Sequence, residues 1–212
     1  MKKYVSILRG EEYNRLAKLK LTGTFLDLGG GRHSEYHKFL SSSEKNIHTA
    51  NLEDSGACDF SVDLEKPLAI PSSSYDNVVC LNVLEHIYNF QNVIDESYRI
   101  LKPKGTYILS VPFLFNIHGS PDDYFRYTKS SLQKMLSDRG FYEISIKEIG
   151  RGFFSLVFQV IDGPGFIRIA WLRNFFKKTF VGTDILLSRI SKNYGRIALR
   201  IPLGYFVTAK KK

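Results

Sequence analysis

Three short stretches of the chain carry residue types able to do chemistry. FLDLGGG, residues 25–31, closes an apolar run with one acid, Asp27, and three glycines, Gly29, Gly30 and Gly31. A glycine turn lets backbone approach a bound molecule closely. Arg32-His33-Ser34 follows instead of the Gly-Lys-Ser/Thr of a triphosphate loop, and Ser34 stands where a dinucleotide turn wants its third glycine. A carboxylate two residues before the first glycine also sits badly beside a pyrophosphate. It suits a cationic ligand without phosphate. The second stretch, FLFNIHGSPDDYFRYT at 113–128, gathers His118, Asp122, Asp123, Tyr124, Arg126 and Tyr127. That density of polar and aromatic groups marks a recognition loop. It equally reads as a rigid turn, with Pro121 fixing it, Asp122 or Asp123 capping it and Arg126 pairing with an acid. The third, GFIRIAWLRNFFKKTF at 165–180, interleaves aromatic and basic residues without an acid.

The elements that must position these groups are legible from hydrophobic pattern. Thr24–Leu28 reads as a buried strand, 45–52 as a weaker one, and Asn77–Leu81 as a strand covered on both faces. Gln91–Leu101 has helical spacing and stops at the turn signal Lys102-Pro103-Lys104-Gly105; Thr106–Val111 is the next strand. Ser130–Arg139 is helical, capped by Thr128 or Ser130 and ended by Gly140; Phe141–Ile149 and Tyr205–Ala209 are late strands. Alternating strands and helices imply an α/β fold, a parallel sheet with helices on both faces. Ligands of such sheets bind beyond the carboxyl ends of the strands, where FLDLGGG ends.

Four pieces in order and spacing, FLDLGGG, DFSVDLEKPL, YDNVVCLNVLEHI and RILKPKGTYILSVP, resemble the type 11 branch of the class I S-adenosylmethionine-dependent methyltransferases over about residues 20–150. The resemblance implies a Rossmann-like, mostly parallel seven-stranded sheet with an antiparallel edge pair. It implies S-adenosylmethionine as cofactor, with S-adenosylhomocysteine as product. Asp27, Gly29 and Gly31, with Leu28 and Gly30 between them, would wrap the methionine part. Asp63 and Leu64 would meet the adenine, and Leu81, Asn82 and His86 would close over the methionine side. The family places an acid for the ribose hydroxyls at the end of the second strand; here Asn51 stands there, followed by Leu52 and Glu53. The family's next glycine is His33. Residues 113–128 resemble the H-x-x-P-x-D-Y-x-R-Y-T pattern of members associated with polysaccharide and glycan-lipid assembly. A sugar or lipid-linked glycan is therefore the expected acceptor; a small metabolite, RNA, or a scaffold without turnover are the alternatives. A sugar hydroxyl benefits from a general base, for which His118, Asp122 and Asp123 are the candidates, with Tyr124, Arg126 and Tyr127 as substrate contacts.

Composition bounds the rest. The 212 residues are expected to form one domain, 1–212, with 152–204 as a basic, aromatic helical insertion between the last two strands. Residues 1–150 have a net charge of −1 and 151–212 of +10, so the chain's +9 belongs to one region. Such a surface suits a membrane interface, where aromatic bulk meets anionic headgroups; packing on the sheet or a homodimer contact is the other reading. Thr183-Asp184 reads as a cap opening a helix over ILLSRISK. Nucleic acid is disfavoured, because the Asn/Asp-Pro-Pro-aromatic motif of adenine methylation is absent at Leu81–Leu84. Cys58 and Cys80 form no disulfide or metal spacing, no metal is expected, and no segment has the roughly 20 apolar residues of a membrane span. The expected place is the cytoplasm, peripheral to the membrane's inner face.

Overall fold

The computed structural model describes residues 5–40, 46–52, 58–119, 121–162, 167 and 169–212. Seven strands form one sheet: β1 (Phe25–Leu28), β2 (Ile47–Asn51), β3 (Phe60–Ser61), β4 (Tyr75–Leu81), β5 (Leu101–Pro112), β6 (Phe141–Arg151) and β7 (Pro202–Lys211). Their spatial order is β3-β2-β1-β4-β5-β7-β6. The first five are parallel, and β7 runs antiparallel between β5 and β6.

The side-chain period of two divides the core into two layers. Leu26, Leu28, Val78, Cys80 and Leu109 lie in one, together with Val93 and Ile94 of α2 (Phe90–Ile100) and Leu132 and Leu136 of α3 (Lys129–Asp138). Their chain neighbours Phe25, Val79, Leu81 and Ile108 lie in the other, with Ile7, Leu8 and Leu16 of α1 (Ile7–Leu16) and Phe158 of α4 (Phe153–Asp162). The expected fold, a mostly parallel seven-stranded sheet with helices on both faces and an antiparallel edge pair, is the one formed.

Three local expectations change. Lys102–Gly105 does not separate α2 from a later strand: β5 starts at Leu101, and the segment is a bulge between the pairs Tyr75↔Leu101 and Asn77↔Thr106. Lys104 takes φ +64° there, so the turn chemistry is expressed inside a ladder. Thr183-Asp184 opens no helix, because α5 (Ala170–Ile190) runs straight through it. Asp184 is 3% exposed, and its carboxylate accepts the N–H groups of Phe154 (3.1 Å) and Ser155 (2.6 Å). It caps α4, a different helix. Finally, 152–204 is not uniform. Helix α4 packs on the sheet, whereas α5 buries only Asp184 and forms an outer layer with α6 (Lys192–Ala198).

Candidate active site

The carboxyl ends of β1 and β4 meet at the glycine turn. Gly29 holds φ +79° and donates its N–H to Ala50 of β2 (2.7 Å). A Cβ on Gly30 would fall 1.9 Å from the Asp27 carboxylate, so only a bare backbone fits. Asp27 is wholly buried behind the turn, where its Oδ2 accepts from Tyr36 Oη and meets His37 Nε2, each at 2.7 Å. Burial raises its pKa, and these contacts act against that rise. Asn51 explains the missing acid of β2. Its amide nitrogen donates to the Gly29 carbonyl (3.2 Å), while its oxygen accepts from Leu52 N–H (2.8 Å). A carboxylate has no hydrogen with which to make the first of these bonds.

Two cavities open over this turn. The first, of about 330 Å³, is lined by Gly29, Gly30, Gly31, His33, Leu81 and Asn82, and by Glu12 of α1. The second, of about 450 Å³, shares Arg9, Gly29, Asn82 and Val83 with the first and continues past Asn51, Leu52, Asp63 and Leu64 to His86, His118, Asp122 and Tyr124. Asp63 lies on its rim with the carboxylate fixed by Glu65 N–H (3.0 Å) and Lys66 Nζ (2.9 Å). The Lys66 and Glu65 hydrogen bonds hold its pKa below the ordinary carboxylate value, so it is an acceptor at neutral pH. Asn82 takes φ +53°, donates to Glu12 Oε1 (2.8 Å), and leaves its buried Oδ1 without a partner.

The loop after β5 divides by role. His118, Asp122 and Tyr124 line the second cavity; Asp123, Arg126 and Tyr127 do not. Asp123 accepts from the His118 N–H (2.9 Å) and from Arg126 Nη2 (2.7 Å), and the guanidinium beside it brings its pKa down to about 2. Tyr127 is buried and donates to the Leu84 carbonyl (3.1 Å). These three brace the loop, as the rigid-turn reading expects. Beneath it, Glu85 is wholly buried in a short 3-10 helix, Leu84–His86. It raises the pKa of His118 across 3.6 Å.

Residues 27–109 match the family model described as a methyltransferase domain. That stretch of the chain is thus similar to a methyltransferase domain. Phosphoethanolamine N-methyltransferase 2 of Haemonchus contortus, solved with phosphomonomethylethanolamine and S-adenosylhomocysteine, is similar over 98% of this chain and 54% of its own, with TM-score 0.62 and 16% identity. This chain thus spans about half the length of that enzyme. A SAM-dependent methyltransferase from Archaeoglobus fulgidus aligns over 95% of this chain and 94% of its own (TM-score 0.60, 15% identity). A putative methyltransferase of Haloferax volcanii, solved with its Trm112 activator, aligns over 95% and 87% (TM-score 0.59, 15% identity). At such identities the likeness is one of fold. No curated protein matches the sequence.

The residues around the turn fit S-adenosylmethionine, the cofactor with which such a domain works. A Cβ at Gly29 would strike Val83 and one at Gly30 would strike Asp27, so the turn lines the cavities with bare backbone, and the orphaned Asn82 Oδ1 is an acceptor suited to an ammonium group. The sequence brings Asp63, Leu64, Leu81 and His86 to the two cavities, while Asp27 supports the turn from behind and Glu53 lies outside the described residues. Two residues were missed. Glu12 hides in an N-terminal segment whose only signal was an acid on the face of Leu8 and Leu16. Glu85 sits in VLEHI, where no spacing sets it apart from a solvated helix-end acid.

Proposed function

We propose that this chain moves the methyl group of S-adenosylmethionine to a hydroxyl of a sugar or lipid-linked glycan. The observation that carries the reading is the second cavity, which joins Gly29, Asn51 and Asp63 to His118, Asp122 and Tyr124 in one crevice. Asp63 and Leu64 would hold the adenine, Asn82 and the glycine turn the methionine end. The cofactor supplies an electrophilic methyl. The chain's own part is to align an acceptor against it and to exclude water, which provide much of the acceleration of an in-line displacement. Tyr124, whose hydroxyl donates to Asp122 (3.0 Å), offers a ring and a carboxylate side by side, a pairing suited to a sugar. Asp123, held ionised by Arg126, is too weak a base for a hydroxyl and acts as a brace.

A membrane-bound acceptor is supported by α5. Ile169, Trp171, Phe175, Leu186 and Ile190 are exposed on or beside it, and the surrounding region carries the chain's excess positive charge. Two copies of so cationic a face repel each other, whereas anionic lipid attracts it, so a membrane surface fits better than a homodimer. Among the described residues no helix is long and apolar enough to cross a membrane. The protein would then work at the cytoplasmic face of the membrane as a peripheral enzyme.

Calorimetry tests the donor side. The chain should bind S-adenosylmethionine and S-adenosylhomocysteine, and Asp63→Ala should weaken both by about 2 kcal/mol, roughly thirtyfold, the worth of one hydrogen bond to a charged group. Failure of the unaltered chain to bind either compound would leave only the fold; unchanged affinity in the variant would show that the adenine lies elsewhere.

A further inference from the structure

Glu85 has no hydrogen-bond partner for either carboxylate oxygen, although it is fully buried. Buried charges in proteins are paired or coordinate a metal, because an uncompensated one is costly. The two side chains nearest to it are imidazoles. His86 Nε2 lies 3.7 Å and His118 Nε2 3.6 Å from the same oxygen, Oε1, too far for hydrogen bonds. Each ring is turned by its other nitrogen. His86 Nδ1 is 2.5 Å from the Asp122 carbonyl, and His118 Nδ1 is 3.1 Å from the Asn116 carbonyl. A carbonyl only accepts, so both Nδ1 atoms carry hydrogen, and in the neutral tautomer each Nε2 turns its lone pair toward Glu85. Donation of one ring N–H to a backbone carbonyl, with the other nitrogen left bare, is how proteins prepare histidine ligands.

We propose that Glu85, His86 and His118 bind one divalent first-row transition cation. The three donor atoms lie within 4.8 Å of one another. A metal with bonds of about 2.1 Å sets neighbouring donors about 3.0–3.4 Å apart. The two Glu85 gaps, 3.7 and 3.6 Å, close with shifts of a few tenths of an ångström, and the third gap, within 4.8 Å, closes by rotation of the His118 ring in its partly exposed loop. Two imidazoles and one carboxylate favour Zn²⁺, Fe²⁺, Co²⁺ or Ni²⁺ over Mg²⁺ or Ca²⁺. Three protein ligands leave positions open, and His86 and His118 line the crevice that holds Asp122 and Tyr124.

The catalytic use of the ion rests on the methyl-transfer reading above. An acceptor hydroxyl bound to the ion loses its proton to water more readily, as metal-bound water does. The O–H bond breaks, the oxygen's electron pair forms the new C–O bond, and the sulfonium–methyl bond breaks with its electrons left on sulfur. His118 then holds the ion and takes no proton.

The test is titration of the full chain, free of added histidines and stripped with a chelator, with cobalt(II) chloride followed by visible absorption. The expected result is one equivalent bound, with ligand-field bands of nitrogen and oxygen coordination, and displacement by zinc(II). Glu85→Gln and His118→Gln should each weaken binding by about 100-fold or more. Circular dichroism checks that both fold; Glu85→Gln removes a buried charge, and His118 lies in a partly exposed loop. No stoichiometric binding, or equal binding by the folded variants, overturns the site. Calorimetry with S-adenosylmethionine on the same stripped protein reads the donor side separately. Cofactor binding without cobalt binding sinks the ion alone, and the reverse sinks the methyl-transfer reading alone.

Discussion

At the scale of the residue, the most consequential group is Glu12. It is 1% exposed, accepts from Ser110 Oγ (2.6 Å) and Asn82 Nδ2 (2.8 Å), and burial raises its pKa above 4.5 despite both hydrogen bonds. The folded state therefore holds this proton more tightly than the unfolded chain does. Stability contributed by the protonated form is present below the unfolded value and is lost as pH rises through the raised one. Glu12→Gln should match the unaltered chain below about pH 4.5 and be more stable above it, as measured by urea unfolding across pH. The carboxylate also lines the first cavity, so a cationic ligand favours its ionised form. Affinity for S-adenosylmethionine should rise with pH, by at most about tenfold per unit, and the slope should vanish in Glu12→Gln. An unchanged slope would remove Glu12 from the cofactor's surroundings.

At the scale of the element, Asp184 joins three helices. From the middle of α5 it caps α4 through two backbone N–H groups and accepts a short hydrogen bond from Tyr194 Oη of α6. Burial and the Asp184 carboxylate push the Tyr194 hydroxyl up to about 12. Asp184→Ala removes a cap and orphans these donors, with a cost of about 2–3 kcal/mol in chemical denaturation. Asp184→Asn, which keeps an acceptor, should recover part of it. Equal stability of all three chains would mean that the outer helices contribute little to folding. The sequence marked Asp184 as a cap and the residue does cap a helix. Its partner was illegible because the capped N–H groups lie 29 and 30 residues earlier, beyond any local pattern.

At the scale of the whole molecule, charge and exposure are segregated. The candidate crevice lies at the carboxyl ends of the strands, and the excess of cations lies with the outer helices. Flotation with anionic vesicles should carry the chain upward at low salt, and neutral vesicles should carry much less, since each basic residue near an anionic surface is worth about 1 kcal/mol. A Trp171→Ser, Phe175→Ser, Ile190→Ser variant should partition at least about tenfold less while keeping cofactor affinity, as each lost aromatic or aliphatic contact removes roughly 1.5–3 kcal/mol of burial. Equal partition of the two chains would leave this face to packing or to another protein.

The sequence by itself determined the sheet, because runs such as FLDL and NVVCL bury on both faces and admit little but central parallel strands. It also determined the glycine turn, since Gly29 and Gly30 tolerate no side chain there. Only tertiary structure decided what surrounds that turn. Asn82 meets Glu12 across 70 positions, and Glu85 meets His118 across 33, separations at which side-chain spacing carries no periodic signal. Such contacts exist because strand ends gather distant loops at one rim, and that gathering turns isolated polar residues into a site.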